Sequence, residues 1–349
     1  MKTIWTALAM AGALVGWTGA AQAKDVLGAT CDTPPNARCV GDVCNTSGAL
    51  ANLGSATDPK TGRKFFLDYP CDLKPGEKIV FILNIHGAGS IGNWQRHYFP
   101  AVDYVDKYRL VVATPTAATS PVRVPGQPGV RVWVPDADDA HLQNITEAVI
   151  DAFGRGNIKA FWLAGHSQGG ITSNRIVCSP FFASKVDGFL SLSGGRLGGS
   201  QMNPRFGPPK PDGTPPDPRP ISALSSAPLP GCEFSHIYET GEHEITGLQT
   251  TSAWADKLGC GPRVEQAKLV DSQAGYVWDY ARQGYNVWGM KARPGTAQEF
   301  LYPGCRSGRV VADFVRLDKG HTEGLEPKVT EALIQLMVSA PGGKIAAGG

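Results

Sequence analysis

The sequence predicts an α/β fold, with a mainly parallel sheet and helices on both faces. Three observations carry that prediction. Short, almost continuously apolar runs recur along the chain, as in Ile79-Val-Phe-Ile-Leu-Asn-Ile85, and such runs suit strands buried on both faces. Segments with helical spacing of apolar residues lie between them. One junction between the two kinds of segment, Gly165-His-Ser-Gln-Gly169, is an abrupt Gly-rich turn that leads from an apolar run into a helix-compatible stretch.

Taken in order, strands are expected at 64–69, 78–85 and 109–114, with a helix over 94–108 between the last two. A Pro/Gly/Val loop (120–132) precedes a helix over 139–153, whose Leu142, Ile145, Val149 and Ile150 fall on one side. The run Ala160 to Ala164 is the strand before the sharp turn, and Ile171 to Cys178 the helix after it. Further strands are expected at 188–193, 234–239 and 309–317, and helices at 250–258 and 325–338. Val329, Leu333, Leu336 and Met337 form the apolar side of the last helix. The Pro/Gly-rich stretch 194–231 is too long for an idle connection, so an insertion over one end of the sheet is expected. No internal repeat is present.

Residues 1–23 have the pattern of a secretion signal. Lys2 is followed by an apolar core from Ile4 to Val15 and a small-x-small site at Ala21-Gln22-Ala23. The expected product is a secreted or periplasmic protein beginning near Lys24. Residues 24–60 suggest a Cys-rich N-terminal extension, 61–340 the main domain, and 341–349 a disordered tail. With 33 Lys and Arg against 31 Asp and Glu and no basic cluster, nucleic acid and anionic membranes are poor partners. All eight cysteines follow the signal, and an even count in an exported chain favours disulfides. No Cys-x-x-Cys occurs, which argues against a structural metal.

The chemistry centres on Ser167. A serine at the tip of a strand–turn–helix junction is exposed to a base, and the flanking glycines allow close approach of neighbouring chain. The N–H of Gln168, at the start of the following helix, is the candidate first oxyanion donor. His86-Gly-Ala-Gly-Ser90 follows another buried strand, and the N–H of Gly87 or Ala88 is the candidate second donor. In this architecture the acid and then the histidine follow the nucleophile. His321, in Gly320-His321 after the last strand, is the candidate base. Glu244 of Gly241-x-x-Glu244 is the candidate acid, with Glu242 and Asp271 as alternatives. His243-Glu244 does not begin a zinc motif, because position 247 is glycine. The aromatic-rich segment 276–288 offers Trp278 and Trp288 as substrate-binding surface, with Trp94 and Trp133 as further candidates; the same segment also fits an ordinary packed helix.

Together these pieces resemble the α/β-hydrolase superfamily over about residues 63–338. Within it, the pair Trp254-Ala-Asp-Lys-Leu-Gly-Cys260 and Tyr302-Pro-Gly-Cys305 resembles secreted esterases of the polyhydroxybutyrate depolymerase/feruloyl esterase group. The resemblance implies the α/β-hydrolase fold, hydrolysis of small or polymeric carboxylic esters through Ser167, His321 and Glu244, no metal or organic cofactor, and a Cys260–Cys305 disulfide. The chain departs from the group's pattern in three places. The acid is glutamate where aspartate is usual, the elbow carries His166 and Gln168, and Thr322-Glu323 stands where a tryptophan often follows the histidine.

Overall fold

In chain order the first elements are β1 (Ala56–Thr57), β2 (Lys64–Asp68), β3 (Ile79–Ile85), α1 (Gly92–Tyr98), α2 (Val105–Tyr108), β4 (Leu110–Pro115), α3 (Pro135–Phe153), β5 (Ile158–His166), α4 (Gln168–Ile176) and β6 (Gly188–Leu192). There follow β7 (Gln201–Met202), β8 (Ser235–Gly241), β9 (Ile245–Gly247), α5 (Ala253–Lys257), β10 (Val264–Glu265), β11 (Leu269–Val270), β12 (Thr296–Leu301), β13 (Val311–Leu317), α6 (Pro327–Ser339) and α7 (Lys344–Ala347). The computed structural model describes residues 25–31, 54–118, 131–199, 201–202, 229–278, 287–289 and 292–348, with the single positions 210, 212 and 214. The expected signal segment, most of the insertion, Cys39 and Cys44 lie outside the described residues.

The main sheet runs in the order β1-β2-β4-β3-β5-β6-β8-β13-β12-β10. From β4 through β3, β5, β6 and β8 to β13 every neighbouring pair is parallel, whereas β1, β2, β10, β11 and β12 pair antiparallel at the two edges. The continuous apolar character of the central strands follows from burial on both faces. In β5, Phe161 and Leu163 enter one core layer, while Ala160, Trp162 and Ala164 enter the other. Helices α3, α4, α5 and α7 supply the first layer, which includes a Phe81–Phe161 ring stack at 4.5 Å. Helices α1 and α6 supply the second.

Several expectations need correction. The helix foreseen over 94–108 is broken at Phe99-Pro100, because proline lacks an N–H and disfavours helical backbone in the residue before it. Arg109 caps the broken end in the left-handed region (φ 53°), so β4 begins one residue later than foreseen. Helix α3 begins earlier, with Pro135 at its first turn, where the missing N–H costs nothing. On α6, Ile334 is buried and Leu336 only half-buried. Strand β12 was not foreseen, because Thr-Ala-Gln-Glu-Phe-Leu is short and polar and gains its place only by pairing with β13. Residues 341–348 are not disordered. Ile345 is 1% exposed, and Lys344 donates its N–H to Asp187 (3.2 Å) and its Nζ proton to the Glu233 carbonyl (2.7 Å). The end of the N-terminal extension also enters the sheet, as β1.

Disulfides join Cys31 to Cys71, Cys178 to Cys232 and Cys260 to Cys305. The second brackets the 194–231 insertion, and the third brackets the aromatic segment 276–288. Each of these two closes a loop of about 50 residues, a constraint worth about 4 kcal/mol against the unfolded chain. Replacing both Cys260 and Cys305 by serine is therefore expected to lower stability by about 2–5 kcal/mol, measured as a shift in the urea unfolding midpoint.

Candidate active site

Ser167 sits between β5 and α4 at φ 52°, ψ −118°, and donates its N–H to the Leu192 carbonyl at 2.9 Å. The two flanking glycines are sterically required. A Cβ on Gly165 would lie 2.3 Å from the carbonyl carbon of Gly169, and one on Gly169 would lie 2.1 Å from the Ile85 oxygen. A non-glycine residue held in this backbone region, at the carboxyl end of a central parallel strand, has the backbone geometry that a nucleophile elbow requires. The fold is that of an α/β-hydrolase.

The loops that follow β8 and β13 meet beside this elbow. His321 lies between β13 and α6, 3% exposed, and donates its Nδ1 proton to Glu244 Oε2 at 2.7 Å. With that proton on Nδ1, the basic lone pair of the ring lies on Nε2. Glu244 lies just after β8 and is 1% exposed. Its other oxygen, Oε1, accepts from the Gly241 N–H (2.8 Å) and from the Ser193 hydroxyl (2.7 Å). Burial pushes the Glu244 carboxyl up to about 7, opposed by the Ser193 and Gly241 hydrogen bonds and by the Arg316 charge. Glu242 is exposed and accepts from the Asp318 N–H, away from His321. Asp271 accepts from the Lys328 N–H at the start of α6. Of the three acids weighed from the sequence, only Glu244 meets the histidine.

His166 ties the histidine loop to the elbow. Its ring is 4.6 Å from the His321 ring, and its Nε2 proton goes to the His321 carbonyl at 2.9 Å. Burial, then the neighbouring His321, hold His166 well below the usual histidine range, so it is neutral. Three further buried histidines pack elsewhere. His97, His141 and His236 contact Asn93, Asp58 and Phe189, respectively.

The turn after β3 lies against the elbow. A Cβ on Gly87 would be 3.2 Å from the Ser167 Cβ and 2.8 Å from His166 Nδ1. His86 shapes this turn. It accepts the Ala117 N–H at Nε2 (2.9 Å), so its Nδ1 proton goes to the Gly87 carbonyl (2.6 Å); burial pushes its pKa down to about 4. Among the described residues, no backbone carbonyl accepts the N–H of Gly87, Ala88 or Gln168. The Gln168 side chain is occupied separately, accepting the Trp133 N–H at 3.0 Å.

The tryptophans divide. Trp94 is no rim residue: it is 5% exposed, stacked on Tyr98 and packed against His166 behind the elbow. Trp133 is equally buried and donates its indole proton to the His86 carbonyl (2.8 Å). Trp288 touches the site, edge-on to the His321 ring at 5.2 Å, and its carbonyl accepts the Thr322 N–H and hydroxyl. Trp278 is 4% exposed, and residues 279–286 between it and Trp288 lie outside the described residues.

Two features were not foreseen. One is Ser193. The other is a buried ionic cluster beneath the histidine loop. Arg316 contacts Glu239 (2.8 Å) and Glu326 (3.4 Å) and donates to the carbonyls of Glu323 and Gly324; Lys319 contacts Glu326 (2.8 Å) and donates to the Arg293 carbonyl. Glu323 in turn accepts the Gly320 N–H. Two charged residues, Asp313 and Arg316, in a strand otherwise made of apolar residues were the available signal. Among the described residues, no group of His, Cys, Asp and Glu could hold a metal ion.

No protein-family model and no curated protein matches the chain. Among solved structures it is similar to an acetyl xylan esterase from Aspergillus awamori, at 12% identity over 80% of this chain and 95% of that one (TM-score 0.45). It is also similar to a butyrate-bound esterase from Thermogutta terrifontis, at 18% identity over 52% and 68% (TM-score 0.31), and to Arabidopsis thaliana SOBER1, at 19% identity over 48% and 77% (TM-score 0.29).

The elbow geometry makes a direct prediction. Gly169→Ala should lose about 1–3 kcal/mol of stability, because the backbone it would strike cannot swing aside; thermal unfolding of the purified variant checks this.

Proposed function

We propose that the protein is a carboxylic ester hydrolase working through a Ser167–His321–Glu244 triad and an acyl-enzyme. The observation that carries this reading is the buried His321–Glu244 hydrogen bond beside a serine at an elbow. Glu244 fixes the imidazole with its proton on Nδ1, which leaves Nε2 to take the Ser167 proton as the hydroxyl attacks the ester carbonyl. The N–H groups of Gln168 and of Gly87 or Ala88 hold the developing oxyanion. His321 then protonates the leaving alcohol, and water releases the acyl group by the reverse sequence. Each step balances without a cofactor. Gly87 is buried against Ser167 and Ala88 is exposed, which favours Gly87 as the second donor.

The resemblance drawn from the sequence makes feruloyl-type esters and polyesters the first substrates to rank, with Trp288 as the aromatic wall beside His321. Export is proposed on the leader pattern together with three disulfides, which persist in oxidising compartments. N-terminal sequencing of secreted protein should then begin near Lys24.

The deciding assay is hydrolysis of p-nitrophenyl esters, methyl ferulate and a polyester film. Ser167→Ala should lower kcat by about 10⁴-fold or more, and Ser167 should be labelled stoichiometrically by an organophosphonate. Equal rates in the two proteins would refute the reading. Glu244→Gln is expected to lose most of kcat, while Glu242→Gln should keep it.

The pH dependence follows from the raised Glu244 carboxyl. Below about 7 the carboxylate takes up a proton and no longer stabilises the imidazolium, so activity falls as pH is lowered. A pH profile of kcat/KM should rise through a limb near neutrality that belongs to the His321–Glu244 pair. A limb near pH 4 would contradict this assignment.

A further inference from the structure

Glutamate brings a difficulty that aspartate would not. It has one more rotatable bond, so its carboxylate must be fixed from a second direction if it is to hold the imidazole still. The two oxygens of Glu244 are divided accordingly. Oε2 faces His321 Nδ1 at 2.7 Å, and Oε1 is clamped between the Gly241 N–H at 2.8 Å and the Ser193 hydroxyl at 2.7 Å.

The Ser193 backbone is costly to keep. The residue directly follows β6 at φ 50°, a region that favours glycine, and Gly194 and Gly195 come next. Its N–H donates to the Glu239 carbonyl at 2.7 Å, so the pairing of β6 with β8 holds the strained conformation. The turn it starts is pressed onto the elbow, since a Cβ on Gly194 would lie 2.9 Å from the Ser167 carbonyl oxygen. Glycine would meet every backbone requirement at 193. What serine adds is a hydroxyl, 7% exposed as a residue and aimed at the acid.

We propose that Ser193 is a positioning residue of the active site. It acts through Glu244, clamping the carboxylate so that the longer side chain presents Oε2 to His321. The proposal rests on the triad reading above. The charged and titratable groups facing Glu244 are His321, Arg316 and Glu239, with the Tyr98 phenol held neutral by burial. Of the two groups within 2.8 Å of Glu244 Oε1, Ser193 binds through its side chain and Gly241 through its backbone, while the Thr240 hydroxyl adds a smaller pull on the same carboxylate.

The test compares Ser193→Ala, Ser193→Gly, Glu244→Gln, Glu244→Asp and the double variant Ser193→Ala/Glu244→Asp on a p-nitrophenyl ester. Ser193→Ala and Ser193→Gly should both lower kcat by about ten- to a hundredfold, the effect of losing a hydrogen bond to a charged group, with KM within about twofold of wild type. The acid limb of the pH profile should move to higher pH in both, since a donor that favours the carboxylate has gone. A purely conformational role predicts the opposite for glycine, which relieves the backbone and would leave kcat and the limb at wild-type values.

The double variant supplies the check that does not depend on folding yield. Aspartate is too short to span from His321 to Ser193, so removing the hydroxyl from the Glu244→Asp protein should cost nothing further. Additive losses would overturn the proposal, as would a Ser193→Ala enzyme with wild-type kcat while Glu244→Gln is inactive. Full activity in Glu244→Gln would instead overturn the triad reading, and the positioning role with it.

Discussion

A carboxylate sealed away from water, which the proposed chemistry needs charged, sets the terms for this candidate active site. Burial alone would neutralise Glu244. Against it stand a backbone N–H, a hydroxyl, an imidazole N–H and the field of Arg316, each delivered from a different part of the chain. Those donors are in place only because β6, β8 and β13 lie side by side in register, so that the chain leaving each strand emerges at the same end of the sheet. The geometry of the sheet is thus what makes the charge tolerable.

The same strands hold the histidine from below. Arg316, near the end of β13, is surrounded by Glu239 of β8, Glu326 at the start of α6 and two carbonyls of the histidine loop. Burial disfavours its charge, but Glu239 and Glu326 outweigh that and keep it protonated. Glu239 is itself pushed up to about 7 by burial, with Arg316 opposing and Glu244 adding to the rise. Removing either partner of such a cluster would leave the other as an uncompensated buried charge, so the loop carrying His321 is held by interactions that fail together rather than singly.

On the serine side the constraint is steric rather than electrostatic. Strand β5 passes so close to the start of α4, and α4 to the end of β3, that neither Gly165 nor Gly169 has room for a methyl group. Ser167 is driven to a positive φ by that approach and kept there by the Leu192 carbonyl. Two disulfides then bracket long connections between strands: Cys178–Cys232 around the insertion and Cys260–Cys305 around the aromatic segment that ends in Trp288.

Much of this was legible in the residues because it depends on local pattern. Two-faced burial writes itself as unbroken apolar runs, which gave six parallel strands, and the elbow appears as Gly-x-Ser-x-Gly because the close approach of Gly165 to Gly169 lies within a few residues. His321 could be chosen by chain order. What the sequence could not decide was which of two nearby glutamates turns inward. Glu242 and Glu244 share a turn, and only packing against the loop after β13 buries one and exposes the other. The same holds for Trp94, whose neighbours Tyr98 and His166 make it core, and for β12, which exists through its partner β13. Ser193 carries no local mark at all, since its hydroxyl finds Glu244 across 51 residues. The chain by itself determined the layers and the candidate nucleophile; tertiary contact decided which acid, which serine and which tryptophan stand beside it, because those choices rest on burial and hydrogen bonding between segments far apart in sequence.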